Sequence, residues 1–171
     1  MSKKIERMTF RGQPIETDLF WSKEDYYQFQ IAFLNLCEED VNVIKAPFDG
    51  PYTIDITPDE NGFKVTFRNG ENETQTKLPT RAWVERFRIR LENVDKSDRL
   101  YRHGSAHEIE SHDMLRSNHH NESAGLLLDA LAGNGITIDF RNARNLFDTI
   151  AQLLKPVVKD RGPGAQTFER E

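Results

Sequence analysis

Two short runs of alternating apolar residues, joined by a turn, constrain this chain more than any other feature. Tyr52, Ile54 and Ile56 alternate with polar residues, and so do Phe63, Val65 and Phe67. Alternation at period two gives an extended strand one apolar face. Between the runs lies Pro58-Asp59-Glu60-Asn61-Gly62. Proline presets φ and Gly62 is expected to accept a positive φ, so the segment predicts the turn of a hairpin. Asn69-Gly70 marks a second turn, with a polar third strand near 73–78.

Helical spacing dominates on either side of this block. Ser22 can cap a helix over about 22–39, with Asp25 as a short capping-box partner and a Trp21–Tyr26 staple. Tyr26, Phe29, Phe33, Leu36 and Cys37 share one face. Tyr27, Ile31 and Leu34 widen that face, which predicts a well-buried helix. Residues 1–20 read as extended, punctuated by Gly12 and Pro14, and residues 41–46 as a short strand. Trp83, Phe87, Leu91 and Val94 fit a helix after Thr80, although Phe87, Ile89 and Leu91 also alternate with arginines; helix is the preferred reading. Asn121 can cap a short helix carrying Ala124, Leu127, Leu128 and Leu131, which Gly133 can end. Residues 136–140 read as a strand. A last helix over 142–155 carries Ala143, Leu146, Phe147, Ile150, Leu153 and Leu154 up to Pro156.

Strands in one block with helices before and after it predict an α+β fold, with a central antiparallel sheet flanked by helices. The 171 residues suit one domain, over 1–157, with a flexible tail from 158 to 171. Nothing near the N-terminus resembles an apolar signal segment, and no apolar run reaches the roughly 18 residues of a membrane span. A single cysteine, Cys37, rules out an internal disulfide and fits a reducing compartment. Its place on an apolar helix face predicts an inert thiol. The expectation is a soluble, cytoplasmic protein that does not bind membranes.

All five histidines fall between His103 and His120. Imidazole transfers protons near neutral pH and is the commonest metal ligand. His107-Glu108 with His112 resembles the zincin pattern but has one residue too many: on a helix, positions five apart diverge by about 140°. Arg102-His103-Gly104 looks like a phosphatase motif, without the buried strand that should precede it. The polar stretch 95–121 therefore reads as a loop or a solvated short helix. His103, His107, His112, His119 and His120 remain candidate ligands for a divalent metal, and Glu108 or Asp113 could activate water.

Residues 77–103 hold eight basic and four acidic residues. Arg86, Arg88 and Arg90 could meet an acidic partner, and the 81–102 stretch could meet nucleic acid, with Trp83 and Phe87 to stack on bases. A core role for the aromatics and ion-paired arginines is the plainer reading. The net charge of −5 does not favour a phosphate-binding surface. Glu38, Glu39 and Asp40 end the first helix, where negative charge opposes the helix dipole. Asp59 and Glu60 sit at a hairpin tip. These acids could dock on a basic protein surface. Asp139 could be a catalytic acid or a helix cap.

With no legible catalytic motif, the leading expectation is a binding protein that works by protein–protein contact. An inhibitor or immunity protein of a bacterial or phage conflict system would fit. The alternatives are a metal-dependent hydrolase or nuclease built on the histidines, and a nucleic-acid binder.

Overall fold

The hairpin does nucleate a sheet. The computed structural model describes residues 2–38 and 40–159. Its strands are β1 (Ile5–Phe10), β2 (Gln13–Pro14), β3 (Tyr52–Asp59), β4 (Gly62–Asn69) and β5 (Asn72–Pro79). They run in the order β2-β1-β3-β4-β5. β3, β4 and β5 form an antiparallel meander in which Ile56 faces Val65 and Val65 faces Thr76. β1 lies parallel to β3, so the sheet is mixed and not antiparallel throughout. A parallel pair needs a crossover, and α1 (Lys23–Cys37) supplies it.

The first turn works differently from its sequence logic. Gly62 is not among the residues with positive φ. A Cβ there would lie 2.3 Å from the Leu78 carbonyl oxygen, so glycine is needed because β5 passes so close. Gly70, at φ 62°, does use the left-handed region.

Residues 80–94 are helical, and the polar stretch after them is not a loop. α2 runs unbroken over Thr80–His103, and α3 over Ala106–Ala132. The stretch lacks proline, and its Lys, Arg, Glu, Leu and Met residues are good helix formers. Its weak apolar periodicity reflects a hairpin of helices that leaves much of its surface in water. Gly104 and Ser105 make the link. Ser105 caps α3, and its own N–H donates to Glu108 in a full capping box.

Two expected strands do not form. Lys45 and Thr137 make one isolated bridge. Val43, Ile136 and Ile138 are buried, so the apolar pattern recorded burial and not a ladder. α4 (Phe140–Leu153) follows, and α5 (Lys155–Lys159) holds Pro156 in its first turn, where proline is tolerated. Val158 is fully buried, so packing continues past residue 157; residues 160–171 lie outside the described ones.

The helices cover the sheet face that carries Tyr52, Ile54, Ile56, Phe63, Val65, Phe67 and Leu78, all buried. α4 lies among α1, α2 and α3, which explains why nine of its residues are buried. Aromatic rings join the layers. Phe63 of β4 meets the Phe87 ring of α2 edge-on at 5.4 Å, and Phe87 stacks on Phe147 of α4 at 5.1 Å. Trp83 lies 5.8 Å from Phe87. Opposite this face, Asp55 is buried because it accepts from Thr9, Thr57 and the Gly12 N–H at 2.5–2.7 Å, which pins the β1–β2 turn.

Phe147 is fully buried and touches rings from two other helices. Phe147→Ala should therefore cost about 3–5 kcal/mol of stability. Urea unfolding of the variant against the parent protein measures this; a loss below about 1 kcal/mol would mean the ring cluster does not hold the layers together.

Candidate binding site

The histidines are spread along two helices instead of gathered. His103 ends α2 and His107 begins α3, both exposed. From His107 to His120 the helix rises about 20 Å. The buried His112 ring has its Nε2 3.1 Å from the Asn93 carbonyl oxygen. His120 is also buried, with Nε2 3.0 Å from the Arg144 carbonyl oxygen and Nδ1 3.3 Å from the Arg144 guanidinium. A carbonyl can only accept and a guanidinium can only donate, so Nε2 carries the proton and Nδ1 is bare. His119 is half-buried against Phe147, and neither of its ring nitrogens meets a hydrogen-bond partner. Among the described residues, no three His, Cys, Asp or Glu side chains are grouped to hold a metal ion.

The two carboxylates once paired with them have structural partners. Glu108 accepts the Ser105 N–H at 3.0 Å, and this bond holds its carboxyl below the usual range. Asp113 accepts from Tyr101 and Arg116. Asp139 caps α4 through the Asn142 N–H at 2.8 Å.

The arginines are occupied as well. Arg86 donates to Glu122 at 2.9 Å and to Ser123 at 3.1 Å, tying α2 to α3. Arg88 pairs with Glu85 and Glu92 on its own helix. Arg90 is buried and bonds Asp148 of α4 at 2.9 Å. Trp83 and Phe87 are core residues and present no ring face to a base. Of the acids, Glu38, Asp40 and Glu60 are exposed, while Asp59 pairs with Lys77 at 3.4 Å. Glu39 lies outside the described residues. Burial pushes the Cys37 thiol up to about 11, so it stays protonated and unreactive near neutral pH.

An open apolar feature lies elsewhere, on α1. Tyr27, Ile31 and Leu34 are 65, 46 and 58% exposed. The sequence pattern had placed them inside. A helix apolar on every side reads as wholly buried, yet here one flank is uncovered. That flank borders a groove of about 940 Å³ between α1 and β1. Tyr26, Phe29, Phe33 and Leu34 line its helical wall, with Met8 and Ile15 opposite. β2 pairs only with Thr9 and Phe10, and Asn42 takes the Ile5 N–H at 2.7 Å. Glu6, Arg7 and Met8 therefore have no ladder partner on their outer side among the described residues. The useful sequence signal was the excess width of the α1 apolar face.

Burial, followed by the nearby Arg90 charge, pushes His120 down to about 4. Its unfolded value is about 6.5. A lowered folded value stabilises fully above pH ~6.5, and that share is lost as pH falls toward ~4. We expect His120 to account for up to about 3 kcal/mol of acid-induced destabilisation across this window. Urea unfolding at about pH 7.5 and about pH 4.5 should show a smaller pH effect for His120→Gln than for the parent; equal slopes would remove the assignment.

No solved structure matches the chain. A curated UPF0262 protein of Novosphingobium aromaticivorans is 30% identical over 149 residues, covering 81% of this chain and 90% of its own. One from Erythrobacter litoralis is 29% identical over 147 residues, covering 81% and 90%. Another from Rhodospirillum rubrum is 30% identical over 128 residues, covering 72% and 76%. The family model described as "Uncharacterised protein family (UPF0262)" matches residues 14–155, a span from β2 through α4, and the chain belongs to that family.

Proposed function

We propose that this protein is a protein-binding domain whose docking surface is the open flank of α1 together with the groove beside β1. One observation carries the reading: a large apolar groove bounded by exposed Tyr27, Ile31 and Leu34 and by a strand segment whose outer edge has no ladder partner among the described residues. An extended segment of another protein suits it. Such a segment can bond the backbone at Glu6–Met8 while its alternate side chains enter the apolar wall.

Charge favours a protein partner over a membrane or a nucleic acid. The groove residues include one acid and one base, Glu6 and Arg7, whereas anionic lipid or phosphate would call for a basic rim. The register shift between Ile5 and Arg7 and the two charges guard the edge against indiscriminate pairing. A partner must match them. An inhibitor or immunity role through acidic tips gains no support from this geometry, since Asp59 already has a lysine and the docking surface is apolar. No helix among the described residues is long and apolar enough to cross a membrane.

The test is a photo-crosslinking residue placed at Ile31 in cells of the source organism. We expect a discrete adduct with one other protein. Purified, that protein should bind Tyr27→Asp/Leu34→Asp at least about tenfold more weakly than the parent, with the helical circular dichroism unchanged. Crosslinks confined to a second copy, to lipid or to nothing would each overturn the proposal.

A further inference from the structure

A second concavity lies on the other flank of α1 and has the opposite chemistry. It measures about 300 Å³ and is lined by Glu24, Asp25, Asp95 and Asp98 over a floor containing Leu91 and Val94. Three elements build it: the first turns of α1, the middle of α2, and the α4–α5 junction with Gln152 and Lys155. Acidic residues suit the start of α1, because they face the positive end of its dipole. That accounts for Glu24 and Asp25 and not for Asp95 and Asp98 in mid-α2.

Two further observations point to a ligand. Gln152 is 7% exposed and lines the pocket, and its side-chain amide makes no hydrogen bond to any described residue. Its amide atoms are not sealed in the core and remain open to a partner in the pocket. The second is Lys155, whose ammonium reaches in on its aliphatic stem and meets Asp25 at 2.6 Å. The pocket thus already accepts one alkylammonium, with both side chains largely covered.

We propose that this pocket binds an aliphatic di- or polyammonium ion. One ammonium end meets Asp98 and the Gln152 amide oxygen, the methylenes lie on Leu91 and Val94, and the other end faces Glu24. Separation of the carboxylates selects this class of cation. No group of three is close enough to hold a metal ion among the described residues, whereas a linear cation can span them.

Isothermal titration of the full chain with spermidine, putrescine, magnesium and uncharged 1,4-butanediol tests this. Spermidine should bind saturably, about one per chain, and weaken with added salt. Butanediol should not bind. Asp98 is exposed, so Asp98→Asn should leave the fold intact and weaken spermidine about tenfold or more; Gln152→Leu should weaken it too while keeping the buried volume. Absence of saturable spermidine binding, affinity unchanged in Asp98→Asn, or magnesium bound as tightly at the same residues would each overturn the proposal.

Discussion

The stack of Phe87 on Phe147 is the contact on which the other layers depend. Phe87 belongs to α2 and also meets the sheet through Phe63. Phe147 belongs to α4, the helix enclosed by α1, α2 and α3, and His119 and His120 of α3 lie against it. One pair of rings therefore couples the sheet to three helices. Aromatic pairs of this kind add about 0.5–1.5 kcal/mol beyond the area they bury. Their larger effect is geometric: they fix how α2 and α4 pack on each other and how α2 meets the sheet.

Around that apolar centre runs a polar seam between the helices. Arg86 joins α2 to α3, Arg90 joins α2 to α4, and His120 joins α3 to α4. Breaking the buried Arg90–Asp148 pair costs more than forming it contributes, because it strands a charge in low dielectric. The seam is best understood as specifying which helix faces fit together. It also explains why the histidine-rich stretch gathers no three His, Cys, Asp or Glu side chains around a metal position among the described residues. His112 and His120 face neighbouring carbonyls, Arg86 and Arg90 face carboxylates, and His119 lies against Phe147.

Much of the architecture was legible in residue spacing. The hairpin over Tyr52–Phe67, the Asn69-Gly70 turn, the Ser22 cap and the last helix all follow local rules, and the structure keeps them. Two kinds of feature were not legible. Polar helices such as those over 95–121 have little apolar periodicity, so a method resting on periodicity sees a loop. Val43, Ile136 and Ile138 alternate like strand residues, but the ladder that defines a strand depends on a neighbour far along the chain. The parallel β1–β3 pairing is equally non-local. Of the site, the histidine and arginine candidates were visible as composition, while the groups they meet were not: Arg86, Arg90, His112 and His120 bond partners on neighbouring helices, and Arg88 pairs within its own.

α1 shows why function was harder to read than fold. Its apolar residues outnumber what one buried face needs, and pattern alone cannot distinguish a helix covered by its own chain from one left uncovered. Only the positions of α4 and β1 decide that. With α4 against one side, Phe29, Ala32 and Leu36 enter the core, and Tyr27, Ile31 and Leu34 are left over. Exposed apolar surface in a continuous patch has a cost in solubility, so its persistence is informative in a way that singly exposed apolar residues are not. The acidic pocket on the other flank obeys the same logic in polar terms: Gln152 lines it, and its amide meets no hydrogen-bond partner among the described residues. Both flanks of one helix thus carry surfaces that its own packing leaves open, the apolar groove on one and the acidic pocket on the other.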